Sequence, residues 1–197
     1  MDKKRLRAMT FFFGFVILIW GIRPALPAFL GVRLITPAGR ELMSFKKNTI
    51  TIGHALYTVQ RWGPDRLKLT KKGTDGGVFL KRLGVKLMIR DLKGNLLHVI
   101  RKEGWVFRVE SPVGAHLLFV KIFPKKVAIW REEGKTLFTL LPKFKSVVMN
   151  DATGKTLYIL KGDTELYPAA FLCLPVLTPE ERAACYLLYR QVPLDYQ

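Results

Sequence analysis

Leu87-Met-Ile-Arg-Asp-Leu-Lys-Gly94-Asn-Leu-Leu97-His-Val-Ile100 sets a register that the rest of the chain repeats. Its glycine recurs every twenty residues as Gly114, Gly134 and Gly154, and the leucine three places on recurs as Leu117, Leu137 and Leu157. Seven places before each glycine stand Leu87, Phe107, Val127 and Val147, and five places before stand Ile89, Val109, Ile129 and Met149. A spacing of two puts both positions on one face of a strand. Beyond the glycine, the fifth position is Val99, Phe119, Thr139 or Ile159 and the sixth is Ile100, Val120, Leu140 or Leu160. Each window therefore reads as strand, tight turn, strand, with a second strand apolar on both faces and expected to be covered on both.

The turns fit this reading. In Asp91-Leu-Lys-Gly94 and Asp151-Ala-Thr-Gly154 the aspartate can bond the backbone two residues on, and the glycine accepts a positive φ that other residues resist. Ser111-Pro-Val-Gly114 and Arg131-Glu-Glu-Gly134 are looser versions. Such turns are ordinary hairpin connections, so Asp91 and Asp151 read as turn formers ahead of metal or catalytic carboxylates.

Upstream, Val32 to Phe45 forms a fifth hairpin about Gly39. Thr49 to Trp62, Arg66 to Leu69 and Val78 to Leu83 also look like strands, joined by Gly63-Pro64-Asp65 and by the loop from Lys71 to Gly77. Hairpins in this number imply a barrel or a two-layer sheet, and a sheet of roughly ten strands tends to curl, split or close, which favours closure. The period breaks at Gly162-Asp163 and helix grammar follows. Thr178 with Glu181 is a capping box, Pro179 sits at the first helical position, and Ala183, Ala184, Leu187 and Leu188 supply an apolar stripe. Pro168 to Leu174 reads as an earlier helical segment ending near Pro175. The expected fold is mainly β, an antiparallel hairpin-built closed barrel over residues 32–197 with a C-terminal helix at about 165–190 and an N-terminal apolar helix.

Several antiparallel hairpins with Asp-x-x-Gly-type turns, then an apolar helix at the carboxyl end, resemble the tubby C-terminal-like superfamily, which includes LURP-one-related proteins and phospholipid scramblases. The most family-like segment is Asp151-Ala-Thr-Gly154-Lys-Thr-Leu157 with the helix after it, and the resemblance spans about residues 32–190. It implies a twelve-stranded barrel wrapped around a hydrophobic C-terminal helix. The chain departs from that pattern at Pro175 and Pro179, which interrupt the helix, and at Glu180, Glu181 and Arg182, which charge it.

Residues 1–31 form a separate segment. Lys3, Lys4, Arg5 and Arg7 precede an uncharged run from Ala8 to Ile22 that contains Phe11, Phe12, Phe13, Phe15, Ile17, Leu18, Ile19 and Trp20. A helix of that length covers about 22 Å at ~1.5 Å per residue against a hydrocarbon core of ~30 Å, a gap that snorkelling of Arg7 and Arg23 narrows. A single-pass membrane anchor is the favoured reading. The rivals are a cleaved secretory signal, whose Ala25-Leu-Pro-Ala28 site is poor, and an internal element of the barrel. Basic residues flank the run on both sides, so the positive-inside rule leans only slightly to a cytoplasmic amino terminus. Cys173 and Cys185 read as buried small hydrophobes, and a folded-back pair of helices would leave a disulfide between them open.

Charge is the second global signal: 33 Lys and Arg against 15 Asp and Glu, a net +18 in 197 residues. Such an excess favours an anionic partner. The candidate anion-binding residues are Arg66, Lys68, Lys71, Lys72, Lys81, Arg82, Lys86, Arg90, Lys93, Lys125 and Lys126. Beside an apolar anchor, anionic phospholipid at a membrane surface is the natural ligand, with each Lys or Arg near a charged leaflet contributing about 1 kcal/mol. Nucleic acid is the runner-up, with Trp62, Trp105 and Trp130 available to stack bases. A scramblase-like lipid transporter follows from the resemblance alone. A basic surface that only keeps the domain soluble is the plain alternative.

Enzymatic chemistry finds little footing. His54, His98 and His116 show no zinc-type spacing, and no nucleophile elbow or phosphate-binding loop is present, so no catalytic residue, metal or cofactor is nominated. His98 occupies the register position of Leu118, Phe138 and Tyr158 and reads as a strand residue among apolar neighbours.

Overall fold

The computed structural model describes residues 31–46, 48–131 and 135–190. Fourteen strands run through them: β1 (Val32–Ile35), β2 (Glu41–Lys46), β3 (Thr49–Ile52), β4 (Ala55–Arg61), β5 (Arg66–Lys71), β6 (Gly77–Leu83) and β7 (Lys86–Asp91) make the first half. The second half is β8 (Leu96–Glu103), β9 (Val106–Glu110), β10 (His116–Phe123), β11 (Lys126–Trp130), β12 (Thr136–Lys143), β13 (Ser146–Asp151) and β14 (Thr156–Lys161). Every strand pairs antiparallel with its sequence neighbour, and β1 pairs with β14 through Arg33–Lys161, Leu34–Leu160 and Ile35–Ile159, so the sheet closes. The expected closed antiparallel barrel is therefore present, with fourteen strands where the tubby-like resemblance implies twelve. Two helices follow, α1 (Leu166–Phe171) and α2 (Pro179–Arg190). The expected helix over about 165–190 is thus two helices, broken at the residues around Pro175.

An up-and-down barrel has two ends. Gly31 enters β1 and Gly162 leaves β14 at one of them, the entry end, which also carries the β4–β5, β6–β7, β8–β9, β10–β11 and β12–β13 connections. The far end carries the turns built on the glycine register. There Asp91, Ser111 and Asp151 each accept the glycine N–H on their carbonyl, at 3.1, 3.0 and 3.1 Å, and the N–H four residues on with a side-chain oxygen, at 2.8, 3.0 and 3.0 Å. Thr36 does the same before Gly39. Ser111 and Thr36 are the same device as the aspartates with a hydroxyl for the carboxylate. The hydrogen bond from the Asn95 amide holds the Asp91 carboxyl below its usual pKa, and that from the Thr153 hydroxyl does so for Asp151.

Eight strands make a lumen that their own side chains can fill, whereas fourteen leave room for more. Here α1 and α2 occupy it. Ala183 to Tyr189 are all buried, so α2 is covered all round, as a helix apolar on every side must be. The inward residues of the strands, among them Leu67, Leu80, Leu87, Ile89, Phe107, Val109, Val127 and Ile129, form one core with the two helices. The outward partners in the second strands of the glycine windows, such as Leu117, Phe119 and Ile159, are only half-buried. Covering on both faces, expected from their composition, is not general: the helices cover the inner face.

The glycine with the least freedom lies outside the twenty-residue register. Gly77 has φ +149°, and a Cβ there would sit 2.1 Å from the Leu69 carbonyl oxygen, whereas one at Gly94, φ +95°, meets open space. Gly94→Ala is expected to cost roughly 1–2 kcal/mol of left-handed strain. Gly77→Ala adds a backbone collision and should cost clearly more, a ranking that urea unfolding of the two variants checks.

Candidate functional site

The polar groups inside the barrel hold the helices. Thr178 and Glu181 form the expected capping box: the Thr178 N–H donates to the Glu181 carboxylate at 2.7 Å and the Glu181 N–H to the Thr178 hydroxyl at 3.3 Å. The other Glu181 oxygen lies 3.0 Å from His98 Nδ1. His98 is therefore an inward strand residue, as its register position implied, and its polar partner comes from the helix rather than the sheet. Tyr57 donates its hydroxyl to Glu180, and burial raises its pKa. At the other end of α2 the Arg61 guanidinium donates to the Leu187 carbonyl at 2.6 Å, satisfying an orphan group of the last turn. Burial lowers Arg61 to about 10, so it keeps its charge at neutral pH. These contacts lock α2 in the lumen and occupy both of its carboxylates. Among the described residues no three His, Cys, Asp or Glu side chains converge as metal ligands would.

Both cysteines are free and buried, with no bond between them. Burial pushes the Cys173 thiol up to about 12 and Cys185 well above its ordinary value. Neither is expected to react with a disulfide reagent at pH ~8 until the chain unfolds, since only thiolate attacks. An unfolded thiol ionises near ~8.5, so the stability these groups lend is full below that pH and falls as the pH rises toward 12. A thiol titration in buffer and in denaturant, with alkaline melting curves, checks both.

The outer wall is where the basic candidates gather. Inward Leu67, Leu69, Leu80, Leu87 and Ile89 fix the alternation, so their neighbours Arg66, Lys68, Lys81, Lys86 and Arg90 face outward. The strand register puts Arg66 opposite Lys81, and sets Lys68 and Arg90 on either side of Phe79. Lys86 lies opposite Arg101, which lies opposite Arg108. With neighbouring strands ~4.8 Å apart, five of the candidates share a patch three strands wide. Arg101 and Arg108 are compensated by Glu110 at 2.9 Å and Glu103 at 2.7 Å. None of the five is in an ion pair among the described residues. Like charges directly opposite one another in a sheet are destabilising.

The remaining candidates lie elsewhere. Arg82 shares the parity of Val78 and Leu80, points inward and donates to Asp65 at 2.7 Å, so it does not belong to the patch. Lys71 has the parity of Leu67 and Leu69 and sits at the far end. Lys72 and Lys93 are in far-end turns, while Lys125 lies in the β10–β11 turn and Lys126 opens β11, both at the entry end. The alternation of β5 and β6 was the available signal for the inward pair. The anchor residues Phe11, Phe12, Phe13, Phe15, Ile17, Leu18, Ile19 and Trp20 lie outside the described residues.

No protein-family model, no curated protein and no solved structure matches this chain. The surface itself is what bears on function. No helix among the described residues is long and apolar enough to cross a membrane. The strands are four to eight residues long, with cations outside and hydrocarbon inside. A membrane-spanning barrel has strands of about 9–11 residues and the opposite polarity.

Proposed function

We propose that this barrel is a membrane-surface module that binds anionic lipid headgroups through the outer wall of β5–β7. The observation that carries the reading is the register that brings Arg66, Lys68, Lys81, Lys86 and Arg90 onto one outward patch without carboxylate partners. An unpaired cluster costs the fold something and attracts phosphate, and near a charged leaflet each cation contributes about 1 kcal/mol. Residues 8–22 join the barrel through Gly31 and serve in this reading as the anchor that keeps the patch near the bilayer, so the two act bivalently. The barrel wrapped on apolar C-terminal helices supports kinship with the tubby-like superfamily. Helices α1 and α2 fill the lumen, which favours binding over scrambling.

Nucleic acid is the second reading, favoured by one observation. Aromatic rings lie among the outward cations, with Phe79 between Lys68 and Arg90 and Trp62 edge-on to Phe79 at 6.3 Å. Co-sedimentation of the full chain with phosphatidylcholine vesicles, with and without phosphatidylserine, separates the two. Headgroup binding shows as a phosphatidylserine-dependent fraction that falls with salt. Equal binding to both vesicles at all salt concentrations would sink it, and a salt-sensitive shift of RNA or DNA without that preference would promote the second reading.

A further inference from the structure

Resting on that reading, we infer that the barrel meets an anionic bilayer end-on, inserting the loop tips of its entry end. Large apolar side chains are exposed there in nearly every connection. Trp62 stands between β4 and β5, Leu83 and Val85 flank the β6–β7 turn, Trp105 lies between β8 and β9, and Phe144, 89% exposed, lies between β12 and β13. Scattered exposed hydrophobics are normal on any protein, but a set concentrated at one end marks a surface that meets something. The far end has only Val113 and, at 38% exposure near the start of β4, Leu56 in this class, among turns built from Asp, Ser, Thr and Asn.

Charge decides what the entry end meets. Lys102, Lys125, Lys126, Lys143 and Lys145 ring it, all in or beside the same connections. Of its carboxylates, Asp65 and Glu103 are held by Arg82 and Arg108, while Asp163 and Glu165 sit where the chain turns into α1. Lys126 lies 5.1 Å from the Phe123 ring centre and Lys145 5.3 Å from that of Phe144, so ring and ammonium project together. Aromatic rings flanked by lysine suit the level of lipid headgroups, with the ring toward the acyl boundary and the charge on phosphate. The lower row of the basic wall, Arg66, Lys81 and Lys86, adjoins this end, and Gly31 leads into β1 at it. Lys145 also holds φ +50°, a left-handed conformation that glycine takes more readily. A cation is kept at the tip in spite of that strain.

The test labels single cysteines in the full chain with an environment-sensitive fluorophore, at Val85→Cys and Phe144→Cys on the entry end and Val113→Cys on the far end. The native thiols are buried and stay unlabelled. With phosphatidylserine-containing vesicles the labels at 85 and 144 should shift to the blue and brighten while that at 113 stays unchanged. A chain that binds these vesicles with labels 85 and 144 still in water, or with 113 equally buried, overturns the orientation and leaves headgroup binding standing. A chain with no phosphatidylserine preference overturns both. A response of the entry-end labels to RNA but not to vesicles also rejects the bilayer as the occupant. Phe144→Ser combined with Lys145→Gly, both at an exposed tip, should leave the melting temperature no lower than the parent's and lower vesicle affinity about tenfold. Unchanged affinity would count against insertion.

Discussion

Replacing Arg66, Lys68, Lys81, Lys86 and Arg90 together with glutamine is expected to weaken binding to phosphatidylserine vesicles by about a thousandfold at low salt. Five cations at about 1 kcal/mol each give a ceiling near 5 kcal/mol, and screening with imperfect simultaneous contact takes the value down. A control variant removes the same charge from far-end turns, at Arg40, Lys72, Lys93, Lys135 and Lys155. It should lose at most a few fold. Equal losses in the two variants would mean that only overall charge matters and that the wall is no site. The wall variant should also stay close to the parent in stability, because relief of the Arg66–Lys81 apposition offsets loss of the exposed Arg90 hydrogen bond to the Gly94 carbonyl and no ion pair is broken. Vesicle titration and urea unfolding of the same three proteins give both readings.

The sequence carried the hairpins because a tight turn needs local residues, and Gly94, Gly114 and Gly154 mark three of them at the far end. It carried the start of α2 for the same reason, since Thr178 and Glu181 are three residues apart. Closure was a weaker inference, because Leu34 meets Leu160 across the whole chain and nothing local records it. The patch was half legible. Charge density pointed to Arg66 through Lys93, but density does not say which way a side chain faces. Arg82 and Lys71 follow the parity of the core leucines beside them, and Asp65 of the β4–β5 connection pairs with Arg82. The entry end is not legible in the sequence because its apolar residues are spread over connections midway between the register glycines, at Val85, Trp105 and Phe144. Only the alternation of ends in an up-and-down barrel gathers them. His98 with Glu181 was out of reach too, since the pair joins a strand to a helix eighty-three residues on.

Phe171→Ala is expected to be among the most damaging single substitutions, costing about 3–5 kcal/mol and roughly 10 °C in melting temperature. Phe171 is 1% exposed on α1, stacks on Tyr189 at 4.4 Å and meets Phe107 and Tyr167 edge-on at 5.7 and 5.6 Å. Those rings join α1, α2 and β9, so one truncation loosens both helices from the wall. A closed sheet also relaxes poorly into a void, because each strand is held on both sides by its ladder. Phe144→Ala is the contrasting case, since that ring is almost wholly exposed and contributes little packing. Its melting temperature should match the parent, while its affinity for anionic vesicles falls. Thermal melts of the two variants, run beside vesicle binding, test whether the molecule keeps one phenylalanine for its fold and the other for its surface. A Phe144 variant that loses stability without losing affinity would return that ring to the fold.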